Sequence, residues 1–312
     1  METSSDDALA RLTELAELAE AGRTAFLALS EYSWTPAPGS PAASTKTALA
    51  GKDPAVNGDG ILSGFDLVSE VVVTFLEVAA NHLGGLAALY RNNEIMFSPL
   101  PLVRSVLEYS AHAVWVVGDP SESAEDMLAR AYLEEFVSSE FAKFAAGRMG
   151  SKEDAPHQQA EKRWKEVRQR AIAAFPGTTK DDMSESKPGR TIAKQTLLSP
   201  ENAASWMIDF INKKANGTLD KNQAEGVYAY LSSGTHPSLY QARQMRTYID
   251  RGGYIGTVLT TDLQHVERLL GVGVMAFYNA LSYTMSFYGL PSEALDALTE
   301  KIDAVVPGVL KG

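Results

Sequence analysis

The chain has 312 residues, no cysteine, five histidines and a formal net charge of −11, from 28 Lys and Arg against 39 Asp and Glu. Without cysteine there is no disulfide, thiolate metal site, iron–sulfur cluster or cysteine nucleophile. The acidic balance works against a broad nucleic-acid footprint, and the 45% apolar and 21% charged fractions describe a globular chain rather than a disordered one.

Residues 1–7 are acidic and hydroxyl-rich, without the basic start and apolar run of a signal peptide, so the expectation is a cytoplasmic protein. Residues 6–32 read as an amphipathic helix: Leu12, Leu15, Ala19, Phe26 and Leu29 recur at helical spacing opposite Arg11, Glu14, Glu17 and Glu20. The expected organisation is this N-terminal helix over 1–33, a Pro/Ser/Ala-rich linker or loop over 34–60, and a helical bundle over 61–312. The linker carries Pro36, Pro38, Pro41 and Pro54, and either separates the first helix from the bundle or wraps around it.

Within the bundle the apolar stripe Phe65, Val68, Val72, Phe75, Ala79, Leu83, Leu86 and Tyr90 marks a long helix over 61–91. Ser98-Pro99 starts the next, apolar nearly all round, which Gly118-Asp119-Pro120 stops. Helices follow over about 124–149, 157–175 (charged and solvated), 200–214, 223–233, 259–288 and 292–304. The segment 269–290 carries no formal charge and is long enough to span a bilayer, but its Asn279, Ser282, Thr284 and glycines favour a core helix, and no membrane association is expected. No alternating strand pattern stands out, and Arg251-Gly252-Gly253 reads as a break. The fold class is therefore all-α, a multi-helix bundle with a long Pro-rich loop after the first helix.

Dinucleotide and phosphate-loop motifs, H-E-x-x-H, G-x-S-x-G and paired E-x-x-H are absent, so neither a cofactor nor a metal is expected. One polar constellation stands out. Arg104, Glu108 and His112 lie four residues apart on the most apolar helix, each step advancing about 40° around it. Buried charge is costly unless paired. The ladder is then either a self-satisfied ion pair, with His112 bonding Glu108, or the wall of a polar pocket. Arg130, on the return helix of a hairpin pivoting near Asp119, comes level with residues 106–115 and has Glu108 within its expected reach.

A second cluster compresses Tyr228, Tyr230, Ser232, Ser233, Thr235 and His236 into nine residues. Hydroxyls and an imidazole at a helix end suit phosphate or carboxylate binding, or proton transfer by His236. Plain capping, with Gly234 left-handed and Pro237 preventing continuation, explains the same residues. His157 and His265 read as surface residues, and His82 as half-buried.

Pro101-Leu102-Val103-Arg104-Ser105-Val106-Leu107-Glu108, then Trp115, Asp119-Pro120 and Arg130, together with the 228–236 element, resemble a pattern in uncharacterised helical proteins of actinobacteria and other bacteria. The resemblance covers about residues 61–240. The late element also faintly resembles HEPN domains, helical bundles that often act as ribonuclease toxins or in phage defence. The HEPN ribonuclease motif has an Arg four to six positions before its His, where this chain has Tyr230, Leu231 and Ser232.

Three functions follow as expectations. The first is a pocket for a small anionic ligand or a protein partner, lined by Arg104, Glu108, His112, Arg130, Tyr230, Ser233 and His236. The second is a HEPN-like ribonuclease, with His236 as acid or base and Arg104 stabilising charge. The third is a structural interaction module, with a homodimer among its possible forms.

Overall fold

The structure, a computed structural model, describes residues 5–52, 63–184, 189–215 and 220–310. It is an all-α bundle. In chain order the helices are α1 (Ser5–Ser30), α2 (Pro41–Ala48), α3 (Gly64–Arg91), α4 (Pro99–Val117), α5 (Ala124–Met149) and α6 (Ala155–Ala174). After the short hairpin β1 (Thr191–Ile192) and β2 (Gln195–Thr196) come α7 (Pro200–Ala215), α8 (Lys221–Ser232) and α9 (Leu239–Gln244). The hairpin β3 (Arg246–Asp250) and β4 (Ile255–Leu259) precedes α10 (Leu263–Tyr288) and α11 (Glu293–Val305).

The all-round apolar character of α4 puts it at the centre. It packs on α3 and α10 along its length and on α5, α7 and α8 at its flanks. Val103, Val106, Ala111, Ala113 and Val116 are fully buried there. Such a helix has no face that prefers water, so it settles where neighbours surround it.

α1 belongs to the bundle, with Leu15, Leu18 and Leu29 fully buried and the helix packed on α3, α10 and α11. The uncharged stretch near the C-terminus is the core helix α10, with Leu270, Phe277, Ala280, Leu281 and Tyr288 fully buried. Among the described residues α3 is the one helix long and apolar enough to cross a membrane, and it lies against α1, α4 and α5.

The Pro-rich segment departs from the expected loop. Residues 41–48 form α2, started by Pro41 behind Ser40, whose Oγ accepts from the Ala43 N–H at 3.1 Å. Proline at the first helical position lacks only an N–H that has no helical partner there, so Ser40-Pro41 starts a helix where proline density suggested none. Residues 53–60 of that segment lie outside the described residues.

The two hairpins are the other departure from the all-helical reading. In β3–β4, Gly252 and Gly253 both have positive φ, 72° and 109°, and form the two-residue turn. Only glycine takes both positions without strain, which is why a Gly-Gly pair makes a tight hairpin turn as well as a helix break.

Candidate functional site

The ladder on α4 splits between neighbours instead of closing on itself. Arg104 Nε donates to Glu108 Oε1 at 2.7 Å, as the spacing of four anticipates. The other two partners come from beyond the helix. Arg104 Nη2 donates to the Tyr228 hydroxyl at 2.9 Å, and Tyr228 donates on to Glu108 Oε1 at 2.7 Å. Arg104 Nη1 donates to Thr235 Oγ1, whose own proton goes to the Ser232 carbonyl at 2.9 Å. The guanidinium also lies over the Tyr228 ring, 5.2 Å from its centroid. Burial and then the Glu108 carboxylate push the Tyr228 phenol above its ordinary value, so it stays a donor through neutral pH.

This ring of bonds joins the end of α8 to α4 at the edge of the bundle, where Arg104 and Glu108 keep about a fifth of their side-chain surface in solvent (18% and 23%). Gly234 brings the backbones together. It has no positive φ, and a Cβ there would stand 2.4 Å from Leu100 Cβ. The glycine is needed for close approach to α4, not for a left-handed cap; the C-cap of α8 is Ser233 in a right-handed conformation.

His112 and Arg130 do not reach Glu108. His112 Nδ1 lies 2.6 Å from Glu134 Oε1 on α5, with its ring edge-on to Phe75 and Trp115. Arg130 is 4% exposed; its Nη1 donates to the Trp115 carbonyl at 3.0 Å and Glu122 Oε2 at 2.6 Å, its Nε to Gln195 at 2.9 Å. The pairs 112–134 and 115–130 place the pivot of the α4–α5 hairpin near Glu122, not Asp119. That displacement lifts Arg130 past Glu108 to the C-terminus of α4. There its charge meets the carbonyl end of the helix.

A network grows around it. Glu122 Oε2 also accepts the Asp119 N–H at 3.0 Å, Tyr283 of α10 donates to the Gly118 carbonyl, and Lys214 of α7 pairs with Asp119 at 2.8 Å. Lys214 and then Ser121 hold the Asp119 carboxyl well below the usual range. Burial, and then Asp119 and Glu122, raise the Tyr283 phenol.

The remaining candidates disperse. Tyr230 turns to α10, its hydroxyl 2.8 Å from His265 Nε2, so His265 is a partner of α8 and not a free surface residue. Ser233 donates to the Tyr230 carbonyl at 2.6 Å and only closes the helix end. His236 is exposed one residue beyond Thr235, and its backbone N–H donates to Ser232. His82 is half-buried 6.0 Å from the Tyr109 ring, and burial lowers its pKa from the ordinary value.

These contacts make one assembly that the sequence reading missed. Between the Thr235 anchor on α4 and the His265 anchor on α8 the chain leaves the bundle as an arm, α9 followed by β3–β4. Six of the fourteen large hydrophobic side chains left exposed among the described residues lie in it: Leu239, Tyr240, Tyr248, Tyr254, Ile255 and Leu259. One hairpin face (Arg246, Tyr248 and Asp250 opposite Leu259, Thr257 and Ile255) is exposed throughout, while Ile249, Gly256 and Val258 on the other are half-buried. Gly-Gly flanked by β-branched and aromatic residues was the available signal.

An open cleft of about 330 Å³ lies between α2, α5 and α10, lined mainly by apolar atoms of Val117, Met127, Tyr283 and Phe287. Neither it nor the larger cleft, which includes Asp126, Phe175 and Lys194, contains Arg104, Glu108, His112 or His236. Among the described residues no three His, Asp or Glu side chains converge as metal ligands do. The chain matches no protein-family model, no curated protein and no solved structure.

Proposed function

We propose that this chain is a protein-recognition module whose recognition element is the 239–259 arm. The observation carrying this reading is the concentration of exposed Tyr, Leu and Ile side chains on a projecting segment pinned at both ends. Exposed apolar patches on an otherwise well-buried chain mark interaction sites, and aromatic residues with arginine are the side chains that anchor interfaces. Arg243, Arg246 and Arg251 supply the arginine, against one acid, Asp250, in a chain that is strongly acidic overall. The Arg104–Glu108–Tyr228–Thr235 ring then serves as anchor, fixing where the arm leaves α4.

The test is photo-cross-linking from a benzoylphenylalanine placed at Tyr254, compared with one at Phe97, which is exposed outside the arm. The reading expects protein adducts, including any formed between two copies of the chain, from position 254. It also expects their loss when Tyr248, Ile255 and Leu259 are changed to serine with the helical circular dichroism unchanged. Equal adducts from both positions, or none from 254, contradict it.

One observation favours a second reading. Exposed His236 directly follows Thr235, which holds the Arg104 guanidinium, and a histidine near an arginine suits a phosphate ester, in ribonuclease chemistry or in anion binding alone. It expects RNA cleavage or phosphate-dependent thermal stabilisation that His236→Ala removes; the absence of both sinks it.

A further inference from the structure

We infer that the partner of the arm is a second copy of this chain, joined through the outer edge of β3 in an antiparallel two-fold pairing centred on Tyr248. The inference rests on the reading of the arm as a recognition element and names its occupant.

The hairpin register fixes which backbone groups are free. Thr260 N donates to the Met245 carbonyl and Arg251 N to the Tyr254 carbonyl, at the two ends of the ladder. Hydrogen-bonded and non-bonded pairs alternate along an antiparallel ladder. Residues 247 and 249 therefore direct their N–H and C=O toward β4, and residues 246, 248 and 250 direct theirs outward. A row of outward groups on an exposed strand is a template for another strand. A two-stranded hairpin is marginal on its own in water, and a third and fourth strand supply what it lacks.

The side chains on that edge specify the partner. From Tyr248, Arg246 lies two residues toward the N-terminus and Asp250 two toward the C-terminus. Antiparallel pairing about Tyr248 sets Arg246 opposite Asp250 of the second copy, Tyr248 opposite Tyr248, and Asp250 opposite Arg246. Each match falls on an outward-bonding position, giving about six backbone hydrogen bonds across the join. Opposite charges and paired aromatics directly across strands are both favourable, whereas a one-residue slip loses both. Arg246 has no side-chain partner within its own copy among the described residues, and one Asp250 oxygen accepts from Gly252 N at 2.9 Å, leaving the other for the join. The outward positions of β4, Ile255, Thr257 and Leu259, carry no charge, so that edge offers no such complementarity.

The charge antisymmetry makes the proposal breakable by a swap. The purified full chain is followed by sedimentation equilibrium over a wide concentration range. The expected wild-type result is a reversible monomer–dimer equilibrium. Arg246→Asp and Asp250→Arg each weaken it by about tenfold or more, because like charges then face each other. The double variant R246D/D250R restores association to within about threefold of wild type, since every pair is again opposite in sign. Tyr248→Pro, which removes the central outward N–H, abolishes it with helical circular dichroism retained. A chain that stays monomeric at every concentration overturns the proposal, whether its arm then captures another protein or a single-stranded RNA. So does a double variant as weak as the single ones. Arm-dependent cross-links to a protein of different mass would leave the recognition reading intact while removing this one.

Discussion

Two arginines of the bundle, Arg130 and Arg104, hold similar sets of partners and do different things. Arg130 is sealed, its side chain 5% exposed, and it ties a helix C-terminus, a turn and β2 into one corner. Arg104 sits at the rim, 18% exposed, and ties a projecting arm to the central helix. Burial decides the difference. Loss of the sealed cation leaves the Trp115 carbonyl without this donor inside the bundle, whereas loss of a rim cation lets water replace part of what is removed. The first therefore controls the stability of the fold, and the second the placement of a surface segment.

The sharpest way to break this contrast is Arg130→Met, which keeps volume and removes the donors. It is expected to cost about 2–4 kcal/mol in chemical denaturation and to lower cooperativity little. A loss below about 0.5 kcal/mol would put Arg130 in the same class as a surface charge. Gly234→Ala comes next, because its Cβ has no room beside Leu100. Overpacking of this kind costs about 1–3 kcal/mol. Hydrogen exchange should quicken across 235–260 and stay unchanged in α5; uniform quickening would mean that the arm is not separately anchored.

Tyr228→Phe keeps the ring under the guanidinium and removes one donor to Glu108, for an expected loss of about 1 kcal/mol. The arm should loosen less than in Gly234→Ala. The smallest effect concerns pH. Burial depresses the folded-state pKa of His82 below 6.5, so the unfolded chain takes up its proton first as pH falls. The contribution of His82 is present above about pH 6.5 and is lost as pH falls through the folded value. His82→Gln should flatten that part of the acid limb in denaturation midpoints; an unchanged slope would mean that His82 does not shape it.

Much of this was legible in the sequence. The 124–149 helix and the Arg104–Glu108 pair depend on residues within four positions of each other, and periodicity reports such relations directly. Partners from distant segments were not legible. Arg130 finds Trp115 and not Glu108 because the α4–α5 turn pivots a few residues later than its Gly-Asp-Pro signal implied, and His112 leaves Glu108 on its own helix for Glu134, which α5 brings alongside. The arm was missed for a different reason. Its Gly-Gly turn is equally compatible with a break between helices, and its exposed Tyr and Ile side chains give no core for a pattern to point at.

Where two copies of the chain meet is directly measurable, because the sequence has no cysteine. Directly opposed hydrogen-bonded residues in an antiparallel pair stand about 5.5 Å apart at Cα, inside the range a disulfide spans. Tyr248→Cys, mildly oxidised as the full chain at micromolar concentration, should give a covalent dimer far faster than Tyr254→Cys, which is as exposed but lies off the pairing edge. Equal rates for the two variants, or a Tyr248→Cys chain that stays monomeric, would contradict it.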